Sequence, residues 1–168
     1  MPNDRFHIRD ATLTDLPEIV AIYNSTIPGR MATADTEPVT VADRMAWFQR
    51  HQPAEHPLWV VEDEEKIAGW LSFETFYGRP AYHATVEISI YIAEASRGRG
   101  IGRFLLGESV RRAPELCLKT LLGFIFSHNT PSLALFAALG FEVWGQLPNV
   151  AEMDGVEYSL TIMGKRVG

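Results

Sequence analysis

The sequence predicts a single α/β domain, residues 1–168, with a mixed, mostly antiparallel sheet flanked by helices, and three observations carry that prediction. Between Val86 and Phe126 a β-type run, a glycine-rich turn, a helical run and a second apolar strand follow one another, which is a βαβ unit. Two alternating runs, Leu58 to Glu62 and Lys66 to Phe76, flank the acidic turn Asp63-Glu64-Glu65 and read as an antiparallel hairpin. No repeat, low-complexity tract or linker divides the chain.

In order, Phe6 to Ala11 alternates apolar and polar as a first strand would, and Asp15 with Glu18 reads as a capping box opening a helix to about Tyr23. Ser25 to Pro38 is a long loop with Pro28, Gly29 and Arg30, of a length often used for binding. Thr40 caps an amphipathic helix over Val41 to Arg50, with Met45, Trp47 and Phe48 inward, and Pro53 and Pro57 break the chain before the hairpin. Tyr77 to Tyr82 connects the hairpin to a strand over Thr85 to Ile92. In the next helix, Ile101 to Ala113, the residues Ile101, Leu105, Leu106, Val110 and Ala113 share one arc. Thr120 to Phe126 is a continuous apolar run, as in a parallel strand covered on both faces. Thr130 fits an N-cap ahead of Pro131 for a helix that Gly140 ends, and strands at Phe141 to Gln146 and Glu157 to Met163 close the chain.

Composition narrows the function. The net charge of −6 argues against a nucleic-acid partner, whose phosphates need a basic surface. No apolar run approaches a membrane span, and the polar start Met1 to Arg5 lacks a signal peptide's apolar core, so a cytoplasmic protein is expected. Cys117 is the single cysteine, read as a buried inert thiol between Leu116 and Leu118, and no spacing suggests a metal site. His83 and His128 are read as structural.

Against the acidic background, Arg97-Gly98-Arg99-Gly100-Ile101-Gly102-Arg103 stands out. A strand, a glycine-rich turn and a helix leave unpaired amides at the helix start, a natural site for a phosphate. Glycines at 98, 100 and 102 let phosphate oxygens approach and permit positive φ, and three arginines add charge. A Walker loop is excluded by Gly102-Arg103-Phe104, and a dinucleotide fingerprint by Arg103 and Leu105 where it needs glycine.

The pattern Arg97, Gly100, Gly102 resembles the acetyl-CoA pyrophosphate loop of the GNAT N-acetyltransferases, and Asn129 followed by Gly140-Phe141 resembles their second signature. Ile22-Tyr23-Asn24, Ala46-Trp47-Phe48, Glu87 to Ile92 and Ser127-His128-Asn129 are similar to the phosphinothricin and methionine sulfoximine N-acetyltransferases in particular. The resemblance implies a GNAT fold with a βαβ acetyl-CoA-binding core, acetyl-CoA as donor, no metal, and a homodimer. It implies Gly98 to Arg103 and Arg97 on the pyrophosphate, Ile90, Tyr91 and Ile92 along the pantetheine arm, and Asn129 and Ser132 on the same arm. Glu87 matches the acidic residue assigned as base in the family, and amides around Tyr91 and Ile92 would stabilise the oxyanion.

Three positions depart from the family. Phe136 stands where many members have a tyrosine that protonates the thiolate, leaving Tyr91 as a candidate acid or CoA departing as the thiolate. Met153-Asp154-Gly155-Val156-Glu157 replaces a basic aromatic run, and Tyr77, two residues from Arg79, replaces an arginine. Both of these fall where the acceptor would sit. Arg30, Tyr77 and Arg79 are the acceptor-side candidates, a guanidinium being a good fork for a carboxylate. The expected reaction is acetylation of the primary amine of a small, amino-acid-like molecule. Acetylation of a protein N-terminus or lysine, and a non-catalytic acyl-CoA-binding module, remain as alternatives.

Overall fold

A computed structural model describes residues 5–168; of the polar start read above, residues 1–4 lie outside the described residues. The chain runs β1 (Phe6–Asp10), α1 (Leu16–Thr26), α2 (Val41–Arg50), β2 (Leu58–Asp63), β3 (Lys66–Thr75), β4 (Thr85–Ile92), α3 (Ile101–Arg112), β5 (Thr120–Phe126), α4 (Thr130–Ala138), β6 (Glu142–Met153) and β7 (Val156–Arg166). The seven strands form one sheet in the order β1-β2-β3-β4-β5-β7-β6. Every neighbouring pair is antiparallel except β4 and β5, the two strands that α3 joins. The mixed, mostly antiparallel sheet and the βαβ unit are therefore as the sequence predicts. No helix among the described residues is long and apolar enough to cross a membrane.

Period-two alternation splits the core into two layers. Val86 and Ile88 of β4 are buried with Ile101, Leu105 and Leu106 of α3, and Ile90 and Ile92 pack against the same cluster. The other face holds Leu16, Ile19 and Tyr23 of α1, Trp47 of α2 and Trp70 of β3, with Tyr91 against them. Glu87, Ser89 and Tyr91 alternate with the α3-side residues and so belong to the α1/α2 face.

Four local expectations change. The capping box lies one turn earlier, because the Asp15 carboxylate accepts from the Thr12 amide at 2.7 Å and pairs with Arg9; α1 then starts at Leu16 and runs to Thr26. Asn129, not Thr130, caps α4, its side-chain oxygen accepting from the Ser132 amide at 3.3 Å. Strand β6 continues through Pro148 to Met153, which an edge strand tolerates because its outer side needs no ladder bond. Cys117 is exposed, placed by a left-handed φ of 59° at the end of the short turn Ala113–Leu116.

One feature of the sheet makes room for a site. β4 and β5 pair only from Thr85↔Thr120 to Glu87↔Leu122 and then part. Gly123 follows at once, with the Phe136 ring lying over it; a Cβ there would come within 2.6 Å of that ring. Phe136 is thus core, wedged between Gly123 and Phe141.

Candidate active site

The Ala93 amide donates to the Ala68 carbonyl at 2.8 Å, which sets the phase of the β3–β4 ladder. In an antiparallel pair the hydrogen-bonded residues alternate, so Glu87, Ser89 and Tyr91 bond to β3, and Ile90 and Ile92 turn their N–H and C=O groups to the other edge. That edge is the one β5 has left. A chain carrying amide groups can add to it as a strand would. Tyr91's own amide faces Trp70, so of the two amides expected to polarise a thioester only that of Ile92 faces the cleft.

The cleft ends at the start of α3. Gly98 and Gly100 have φ of 73° and 82°, and a Cβ at either would meet nothing within 4 Å, so open space lies over this turn. The Phe104 amide makes the helix's first bond, to the Gly100 carbonyl at 3.0 Å, which leaves the amides of Ile101, Gly102 and Arg103 without intrahelical acceptors. Gly102 is helical rather than left-handed; its smallness serves packing, since a Cβ would sit 3.4 Å from Leu135.

The three arginines do not act alike. Arg99 is turned back onto Asp63 at the end of β2, a buried carboxylate that also accepts from Arg5 at 3.0 Å. Its side chain is thereby withdrawn from the phosphate role expected of it, although its backbone stays in the loop. Arg97 donates to the Ile92 carbonyl at 3.3 Å, and Arg103 is exposed with no ion-pair partner among the described residues. Those two carry the charge at the cleft.

On the α1/α2 face Glu87 stands directly across the ladder from Glu74. Burial, and then the charge of Glu74, push the Glu87 carboxyl up to about 7. Glu74 moves the opposite way. Burial works to raise it, but His51, with Nε2 at 3.4 Å, and the Trp47 indole N–H hold it as the anion, and the net shift is downward. Tyr91 stacks on Trp70 at 4.7 Å, meets Tyr23 edge-on at 5.1 Å and donates to the Ala32 carbonyl at 3.3 Å. Burial pushes its hydroxyl far above the usual tyrosine value. With its hydroxyl hydrogen donated to the Ala32 carbonyl, Tyr91 is engaged elsewhere in this structure.

The long loop over 27–40 is strapped down on the same face. Asn24 clamps both the N–H and C=O of Val39 at 2.9 Å, and Tyr23 bonds Thr33 and Asp35. Asn129 donates to the Met31 carbonyl at 3.1 Å, and His128 bonds the Arg30 carbonyl at 2.8 Å. Asn129 thus spends its side chain on this loop and on the α4 cap, and the Ser132 amide on that cap, rather than reaching into the cleft.

Arg30 is corrected as an acceptor-side residue. Its Nε and Nη2 grip Asp154 in the β6–β7 turn at 2.8 and 3.3 Å, and Nη1 donates to the carbonyls of Ile27 and Thr36. Four of its five N–H groups are engaged, and Asp154 already occupies the fork that a substrate carboxylate would take. Tyr77 and Arg79 lie in the exposed connection between β3 and β4, Tyr77 with φ 55° in an aromatic cluster with Phe76 and Tyr82. Arg79 has no ion-pair partner among the described residues.

Sequence-family comparison matches residues 18–141 to the acetyltransferase (GNAT) family. The chain belongs to the GNAT acetyltransferases. A Bacillus subtilis protein provisionally named a phosphinothricin acetyltransferase is 56% identical over 161 residues, covering 95% of this chain and 98% of its own. The L-methionine sulfoximine/L-methionine sulfone acetyltransferase of Pseudomonas aeruginosa is 36% identical, covering 93% of this chain and 91% of its own. The crystal structure of a GNAT superfamily phosphinothricin acetyltransferase from Sinorhizobium meliloti, in complex with acetyl-CoA, superposes with a TM-score of 0.91 at 31% identity, covering 98% of this chain and 89% of that one. This GNAT protein is an N-acetyltransferase that uses acetyl-CoA as donor. The residues present fit that donor: a free strand edge at Ile90 and Ile92 suits an amide-bearing arm, and open amides beside Arg97 and Arg103 suit a diphosphate.

Glu74, His51 and Trp47 are the site residues that sequence reading missed. The one available signal was register: a hairpin turning at Asp63 to Glu65 cannot say what β3 places opposite Glu87 until β4 is aligned with it.

Proposed function

We propose that this enzyme acetylates the primary amine of a small amino-acid-like molecule, with Glu87 as the base. The supporting observation is the Glu87 carboxyl, pushed up to about 7 on the strand whose free edge begins three residues further on. An ammonium has no lone pair, and a carboxyl titrating near neutrality takes its proton far better than one titrating near 4. Acetyl-CoA supplies an acyl group already activated as a thioester. Ile92 presents an amide toward the thioester carbonyl, Gly98 to Arg103 hold the diphosphate, and Arg97 and Arg103 balance its charge. Phe136 is core and has no hydroxyl, and the Tyr91 hydroxyl is donated to Ala32, so on this reading CoA departs as the thiolate. Arg79, with Tyr77 beside it, remains as the contact for an acceptor carboxylate.

The test is thiol release from acetyl-CoA across a panel holding methionine sulfoximine, methionine sulfone, phosphinothricin, ordinary amino acids, their methyl esters, and a lysine peptide. An amino-acid-like acceptor is expected to give the highest kcat/KM. Turnover confined to the peptide would overturn this reading in favour of protein acetylation. We also propose a homodimer: Val143, Trp144, Leu147, Val150 and Val156 are exposed on the outermost hairpin, and light scattering at several concentrations checks whether a second copy covers them.

A further inference from the structure

We propose that Glu74, anchored by Trp47 and His51, is a positioning residue for the reaction, acting on the Glu87 base through the negative charge it holds across the β3–β4 pair. The proposal rests on the reading of Glu87 as base.

Directly opposed residues of a hydrogen-bonded antiparallel pair have Cα atoms about 5.5 Å apart and project to the same face. Two carboxylates so placed repel, and the usual outcome on a sheet is to avoid the pairing. Here it is built in, because one member has its own anchor. The Trp47 indole N–H points at Glu74 Oε1. His51 Nδ1 lies 2.9 Å from the Trp47 carbonyl, an acceptor only, so that nitrogen carries a proton. That orientation aims Nε2 at Glu74 Oε1, 3.4 Å away. Nε2 is buried and makes no hydrogen bond, so its link to Glu74 is an ion pair, formed when Nε2 also carries a proton. Trp47 holds the imidazole edge-on at 4.9 Å and packs against Trp70 at 5.4 Å, so the anchor belongs to the rigid α2 layer.

The other charged and titratable groups on this face do not perform the same task. Arg50 of α2 adds a favourable field at Glu74. Arg44 of α2 is paired with Asp35 at 3.1 Å and lies over the Tyr23 ring at 4.5 Å; Asp35 also accepts a hydrogen bond from the Tyr23 hydroxyl. Tyr91 of β4 is stacked away on Trp70. Glu74 is therefore the carboxylate that bears on Glu87, and Glu87 has no hydrogen-bond or ion-pair partner of its own among the described residues. A base left unpaired beside a fixed anion binds a proton, or an ammonium, more readily than it would alone.

Carbon-detected NMR titration of the Glu87 side-chain carboxyl in the ligand-free protein reads this directly, with the resonance assigned by its loss in Glu87→Gln. Glu74→Gln keeps an acceptor for Trp47 and removes the charge; the Glu87 midpoint is expected to fall by on the order of one pH unit. Glu74→Asp keeps the charge and is expected to hold the midpoint above that of Glu74→Gln. The acid limb of the kcat/KM profile should move with the midpoint in both variants. A Glu87 midpoint in Glu74→Gln within about 0.2 unit of wild type overturns the proposal whatever the activity, since a merely structural Glu74 would lower stability without moving that titration. A midpoint that moves while the acid limb stays put instead overturns Glu87 as the base, and the positioning role with it.

Discussion

Replacing Glu87 by glutamine is expected to make the protein more stable at alkaline pH while nearly abolishing turnover. The carboxyl is pushed from its ordinary 4.5 up to about 7 by burial and by Glu74. Its folded value is raised, so between 4.5 and 7 the folded state keeps a proton that the unfolded chain releases, and rising pH destabilises the fold over that window. The full shift corresponds to about 3 kcal/mol at 1.36 kcal/mol per unit; partial solvent exposure reduces a realistic figure to about 1–2 kcal/mol. Glutamine has nearly the same shape and no charge, so the difference in unfolding free energy between variant and wild type isolates this group from others that titrate. Urea melts at pH 5 and pH 8 should show the variant gaining about 1–2 kcal/mol on wild type between the two. Over the same range kcat should be lower by on the order of 10² with acetyl-CoA affinity nearly unchanged. A stability difference independent of pH, or a variant that turns over within a factor of two of wild type, refutes the assignment of a buried, proton-holding base.

The cleft cations are expected to separate in calorimetry with acetyl-CoA: Arg97→Gln and Arg103→Gln each weaken binding about tenfold and reduce its salt dependence, whereas Arg99→Gln changes affinity less and stability more, because Asp63 already holds that side chain. Arg30→Ala and Asp154→Ala should give matching losses in melting temperature and matching rises in acceptor KM for a free amino acid and its methyl ester; a loss confined to the acid would restore carboxylate recognition to Arg30. Asn129→Ala should cost about 1–2 kcal/mol through the lost α4 cap and the lost bond to Met31, with acetyl-CoA KM little changed; a KM effect without a stability effect would return Asn129 to the pantetheine arm.

The parts of the fold that were legible in sequence are those set by local patterning. Alternation in Thr85 to Ile92, the arc of α3 and the Thr40 cap each depend on residues within a turn or two, and each matches the structure to within a residue. Where two caps competed, Thr12 against Asp15 and Asn129 against Thr130, the choice went to the residue whose partner three positions on was free to answer it, which a one-dimensional reading cannot weigh. The sequence reading ends this strand at Gln146, short of Pro148; only sheet order reveals that β6 lies at an edge, where a proline is tolerated. Cys117 was misplaced for a related reason. Its apolar neighbours suggested burial, but a left-handed turn points it outward between them.

For the candidate site, the backbone geometry of the glycine loop was legible in sequence, whereas the partners of Arg30 and Arg99 were not. Glycines at 98 and 100 declare an open, left-handed turn wherever they stand, and the helix after them declares free amides. An arginine declares only a charge, and what the charge does depends on the carboxylate that folding brings to it. Asp154 lies 124 positions from Arg30 in sequence, and Asp63 ends β2 whereas Arg99 lies in the loop between β4 and α3. The same dependence runs the other way at Glu87. Its proton-holding state comes from what the fold withholds, a counter-ion, and from what it supplies, a second carboxylate anchored by a tryptophan and a histidine of another layer. Three arginines near the cleft find acidic partners, Arg30 with Asp154, Arg44 with Asp35 and Arg99 with Asp63, and Glu87 finds none. A side chain whose opposite charge is already satisfied stabilises the fold; one left with an unmet charge or proton is available to a substrate, and on that criterion we propose Glu87, Arg97, Arg103 and Arg79 for the chemistry.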